Sequence, residues 1–152
     1  TIMPLVGVMI VIMVYTGMVG NMKNTKVLRQ RIKWLIRDVV KYNQLPQPQV
    51  FFYASEFRVA VKKAIPKYKR VRSVTTLNNR YGGFTCSIRE ESTHLVYINI
   101  NKHRNKQCLM VTCFHELVHV GWKMSHGKLF EKKIKLLMKN YVAGRIEKGV
   151  KK

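Results

Sequence analysis

From Lys23 onward, apolar residues recur at spacings that switch between helix and strand periods. Leu28, Ile32, Leu35, Val39 and Tyr42 fall at intervals of four, three, four and three, the stripe of an amphipathic helix. Thr25 stands where an N-cap is needed, and Pro46 and Pro48 end the pattern. Val50 to Tyr53 then predicts a short strand, and Glu56 to Ala64 a short helix stopped by Pro66. A strand is expected through Val71, Val74 and Leu77. The segment 78–83, with Gly82 and Gly83, predicts a turn, and Phe84 to Ile88 the returning strand. His94 to Asn101 is the clearest strand, because Leu95, Tyr97, Ile98 and Ile100 supply bulk. Helical spacing resumes from Lys106 to about Lys123. A last helix is expected from Lys128 to about Val142, with Phe130, Ile134, Leu137 and Tyr141 on one stripe. A helix, several strands and two closing helices make an α+β fold, with no internal repeat and no low-complexity segment.

The first 22 residues lack any charge, and most are Ile, Val, Leu or Met. A run of that length can span a bilayer as a helix. It has neither a basic stretch before it nor a small-x-small site, so it does not read as a secretory signal. If residues 1–20 anchor the chain, the cations after them put the rest on the cytoplasmic side. The competing expectation starts the protein at Met18 or Met22 and makes it soluble. Either way the domain is expected at 23–145, followed by a basic tail at 146–152, in the cytoplasm.

Composition changes the picture through charge. Twenty-nine Lys and Arg face seven Asp and Glu, a net charge of +22 over 152 residues. With 47% hydrophobic residues the chain can still bury a core. Such a field favours a polyanion: DNA, RNA or an anionic membrane. Arg29, Lys33, Arg37 and Lys41 form an i, i+4 column, and four like charges in a row oppose the helix unless an anion relieves them. Lys67, Lys69, Arg70 and Arg72 make a second basic cluster. These eight are the candidate nucleic-acid contacts. Trp34, Tyr42 and Tyr68 sit beside lysines and can stack on bases, although Trp34 and Tyr42 are expected to cover the edge of the core. Cys86, Cys108 and Cys113 form no C-x-x-C pair, which fits reduced thiols rather than a disulfide framework. Cys113 is read as packing.

Residues 115–119 read His-Glu-Leu-Val-His. On a helix, positions i and i+4 share a face, so two imidazoles can hold one Zn²⁺, and Glu116 can take a proton from an attacking water. A catalytic zinc keeps three protein ligands and one open position. His126, seven residues further on and past Gly121, is the candidate third ligand. His94 and His103 are expected to be exposed or structural. Tyr81 and Tyr97 are weak candidates for oxyanion support.

The segment His115 to His119, followed by His126-Gly127-Lys128-Leu129-Phe130, resembles the SprT/Spartan family of zinc metalloproteases. Its pattern is HExxH, a short connection, then H-G-x-x-F opening a helix. The similarity extends more weakly over about residues 25–141. It implies a minimal zincin-like metalloprotease core in which His115, His119 and His126 bind zinc, Glu116 is the catalytic base, and Phe130 packs beneath the site. It also implies a DNA-associated endopeptidase acting on DNA-bound proteins. The absence of cysteines after Cys113 departs from members that carry a zinc ribbon, and resembles small versions of the domain found in phages. The alternative is a nucleic-acid-binding protein of the same fold, with a structural zinc and no proteolysis.

Overall fold

The computed structural model describes residues 11–13, 25–65, 82–103 and 106–150. The predicted stripe forms helix α1 (Thr25–Asn43), which begins with Thr25 itself rather than after it. Leu28, Ile32, Leu35 and Val39 are buried as expected, and Ile36 and Val40 widen the apolar face. The helix ends with Gln44 in the left-handed region at φ 55°. The Leu45 amide reaches back to the Val40 carbonyl at 3.0 Å, a closing bond that turns Leu45 inward.

Strand β1 (Gln49–Phe51) follows, then helix α2 (Ala54–Ala64). Strand β2 (Gly83–Ile88) turns through a short 3-10 segment, Arg89–Glu91, into strand β3 (Thr93–Ile98). The sheet order is β1-β3-β2, with β1 parallel and β2 antiparallel to β3. Among the described residues β2 pairs with the strand that follows it. The strand expected through Val71, Val74 and Leu77, to which β2 would return, lies outside the described residues.

Alternation along β3 divides the molecule, because successive side chains point to opposite faces. Leu95 and Tyr97 join Phe57 and Val61 of α2 in one cluster. Val96 and Ile98 face the main core on the other side. There they meet helix α3 (Lys106–Gly121), whose Leu109, Met110, Cys113, Phe114, Leu117, Val118 and Val120 are all buried. A helix this apolar on every side needs cover all round. It receives it from the sheet, from α1 and from helix α4 (Lys128–Val150), which buries Phe130, Leu137, Met138 and Tyr141. Helix α4 runs well past Val142, so the expected basic tail from residue 146 starts inside it. Asn43 ties α1 to α4, donating to the Leu137 carbonyl and accepting from Asn140 at 2.8 Å.

Among the described residues no helix is long and apolar enough to cross a membrane. The expected span over residues 1–20 falls outside the described residues except at 11–13, where Ile12 is fully buried in the main core.

The cluster behind the sheet is small, so each member matters. Phe57 is fully buried and its ring lies within 5.7–6.1 Å of those of Tyr97, Phe51 and Phe84. Phe57→Ala is expected to cost about 3–5 kcal/mol in urea unfolding. A loss below about 1 kcal/mol would show that this cluster contributes little.

Candidate metal centre

Helix α3 turns one residue every 100° or so, which puts His115 and His119 on one face with Glu116 beside them. The helix stops at Gly121, where an added Cβ would meet Leu45 at 2.9 Å. The stop is reinforced from β2's end. The Arg89 guanidinium donates to the carbonyls of His119 at 2.7 Å and Val120 at 3.1 Å, satisfying two last-turn acceptors and opposing the negative end of the helix. The chain then doubles back, and His126 returns to the face that carries the other two imidazoles.

The three rings converge. His119 Nε2 and His126 Nε2 are 3.1 Å apart, and one nitrogen from each of the three His lies within 4.8 Å of the others. Two nitrogens bound tetrahedrally to one zinc at 2.0–2.1 Å stand about 3.3 Å apart, so the arrangement fits a single ion. Phe130, from the first turn of α4, supports all three, its ring centroid 4.7–4.9 Å from each imidazole. Burial, reinforced by His119 and His126, pushes His115 down to about 4, and burial lowers His119 as well. Both rings are therefore neutral at physiological pH, as metal ligands must be.

Glu116 is 5% exposed at the floor of a cleft of about 530 Å³ that also holds the three imidazoles. Burial raises its carboxyl to about 7, and a hydrogen bond from Thr85 opposes the rise. The Thr85 hydroxyl lies 2.7 Å from Glu116 Oε1 and 3.2 Å from the Glu116 carbonyl, so its one proton goes to the nearer carboxylate oxygen. The approach of β2 to α3 requires glycine at residue 83. A Cβ there would sit 2.8 Å from Thr112 Cγ2 and 3.0 Å from Glu116 Oε2. Strand β2, at the edge of the sheet among the described residues, thus both positions the carboxylate and lines the cleft through Phe84, Thr85 and Ser87.

The remaining candidates fall elsewhere. His94 is buried and shares a 2.8 Å hydrogen bond with Ser87. His103 is half-buried: Nδ1 donates to the Asn99 carbonyl, which leaves Nε2 to accept from Thr112. Both are structural, not exposed. Cys113 is buried, and burial followed by the nearby Glu116 carboxylate pushes its thiol to about 12, so it stays a packed thiol. Tyr97 points into the cluster with Phe57, on the sheet face away from Glu116, and is not an oxyanion group. Tyr68, Tyr81, Lys67, Lys69, Arg70 and Arg72 lie outside the described residues. Along α1, Lys33, Arg37 and Lys41 are exposed and Arg29 is half-buried. Tyr42 packs as expected, tilted against Tyr141, whereas Trp34 is 50% exposed and does not cover the core.

The sequence marks Gly83 only as part of a turn, and Thr85 and Arg89 not at all. All three act on α3 from about 30 residues away, and no local spacing marks them.

Comparison with family models, curated proteins and solved structures finds no match for this chain.

Two outcomes follow for Glu116. Its folded pKa is raised from 4.5 to about 7, so ionisation costs folded-state stability as pH rises through that window. With a chelator present, Glu116→Gln is expected to unfold at higher temperature than the parent at pH 8. The gain is about 3 kcal/mol, and it disappears below pH 4.5. A pH-independent difference would contradict the burial. Thr85→Val removes the bond that favours the carboxylate, so the NMR-titrated pKa of Glu116 should move further up, while Thr85→Ser should leave it in place.

Proposed function

We propose that this chain is a zinc-dependent endopeptidase acting on proteins bound to DNA. The observation that carries the reading is the convergence of three imidazoles beside one buried carboxylate, in a cleft open to solvent. A set of three nitrogen donors suits zinc and leaves one position for chemistry. Bound there, zinc would supply Lewis acidity and lower the pKa of a water. Glu116 takes the proton of the attacking water and returns it to the leaving amine. Thr85 holds the carboxylate in place for both transfers. Phe130 and Arg89 hold the imidazole-bearing turn rigid, as a site of this kind needs.

A protein substrate is favoured by the shape of the cleft. Its wall is β2, an edge strand among the described residues, and an extended peptide can add to such an edge through main-chain hydrogen bonds. The resemblance to the SprT/Spartan family points to the same chemistry, and the +22 charge supports a polyanion near the substrate. Three free cysteines fit a reducing, cytoplasmic setting. The reading of a nucleic-acid-binding protein with a structural zinc calls for a fourth side-chain donor. Among the described residues the group consists of His115, His119 and His126.

The test is cleavage of a DNA-binding protein by the zinc-loaded chain. Glu116→Gln should lower the rate by about 10²–10⁴-fold while metal analysis still finds one zinc per chain. A chelator should abolish cleavage. Undiminished cleavage by the Gln variant would remove Glu116 from its role, and no cleavage by the parent would leave the zinc without the proposed reaction.

A further inference from the structure

The face built by the N-terminal half of α1 and the β1–α2 connection interleaves cations with aromatic rings. Arg29 and Lys33 stand one turn apart on α1. The Arg29 guanidinium lies 5.7 Å from the centroid of the Tyr53 ring, and the Lys33 ammonium 5.9 Å from that of Phe52. Tyr53 is 51% exposed and Trp34, beside Lys33, is 50% exposed. Leaving two large rings half in water forgoes the stabilisation their burial would bring. Next to them, Arg29, Tyr53, Ser55, Asn99 and Asn101 line a pocket of about 290 Å³. It shares no lining residue with the metal cleft. Arg37 and Lys41 continue the cationic column along α1.

We propose that this pocket and column bind a single-stranded nucleic acid, with a base stacked on Tyr53 and phosphates held by Arg29 and Lys33. Every base has a π face, so a stacking platform beside cations takes a single strand of any sequence. A duplex keeps its bases stacked on one another and can offer this face only its phosphates. Asn101 also lines the pocket, and its amide can donate to and accept from a base edge. The proposal rests on the nucleic-acid half of the proposed function and is independent of its peptidase half.

The experiment uses the full chain and fluorescent oligo-dT and oligo-U of about 20 nucleotides, with a duplex of equal length, followed by anisotropy at matched salt. The parent should bind single strands more tightly than duplex. Tyr53→Ala should weaken single-strand binding roughly 5–150-fold and duplex binding less than about twofold, and Tyr53→Phe should retain the parent affinity. Arg29→Gln with Lys33→Gln should flatten the slope of log affinity against log salt by about 1.4 on single strands. Binding of either oligomer supports the proposal, and the tighter one identifies the sugar. Equal weakening of single strand and duplex by Tyr53→Ala, or none, would overturn it. So would binding of phosphatidylserine vesicles with no binding of single strands. A peptidase-inactive protein that binds in the expected way sinks only the peptidase reading. An active peptidase whose single-strand binding ignores Tyr53 sinks only this one.

Discussion

A carboxylate held out of water one residue away from an imidazole of the three-histidine cluster is the constraint on which the rest of this structure depends. Burial makes ionised Glu116 costly, and the cost grows with every apolar neighbour of α3. The Thr85 hydroxyl of β2, at 2.7 Å, offsets part of it. The short sheet is therefore more than a support for the core. It delivers a hydrogen-bond donor to the buried acid at the floor of the cleft.

The surrounding packing follows from keeping that geometry fixed. Gly83 lets β2 close on α3, and His103 links Thr112 of α3 to the Asn99 carbonyl after β3. Arg89 fastens the last turn of α3 where the chain must reverse. Phe130 then braces the three imidazoles from below. The contacts from Gly83 and Arg89 join segments about 30 residues apart, and together these contacts limit the motion of the three imidazoles and of Glu116. A site placed on a buried helix and held from three sides loses little order when a substrate arrives.

The two clefts differ in polarity. The cleft beside the three imidazoles lies on one side of the sheet, open to solvent with a buried acid at its floor. The Arg29–Tyr53 face is open, cationic and aromatic. A net charge of +22 weakens any compact state through self-repulsion. Within it, Asp38 is a local counterweight, placed 3.3 Å from Arg37 and 3.7 Å from Arg145 at the packing of α1 on α4.

Much of this was legible before any coordinates. The stripe of α1, the bulk of β3 and the apolar run around residues 109–118 marked what would be buried, because period alone decides which face an element hides. The HExxH spacing put two imidazoles and a carboxylate on one helix turn. What the chain could not declare locally was anything made by contact across the fold. The pairing of β2 with β3, the hydroxyl of Thr85, the cap from Arg89 and the outward ring of Trp34 depend on which surfaces meet. Secondary structure and the spacing of candidate donors are properties of neighbours in sequence. The environment that gives Glu116 its proton affinity belongs to neighbours in space, and only the tertiary structure decides those.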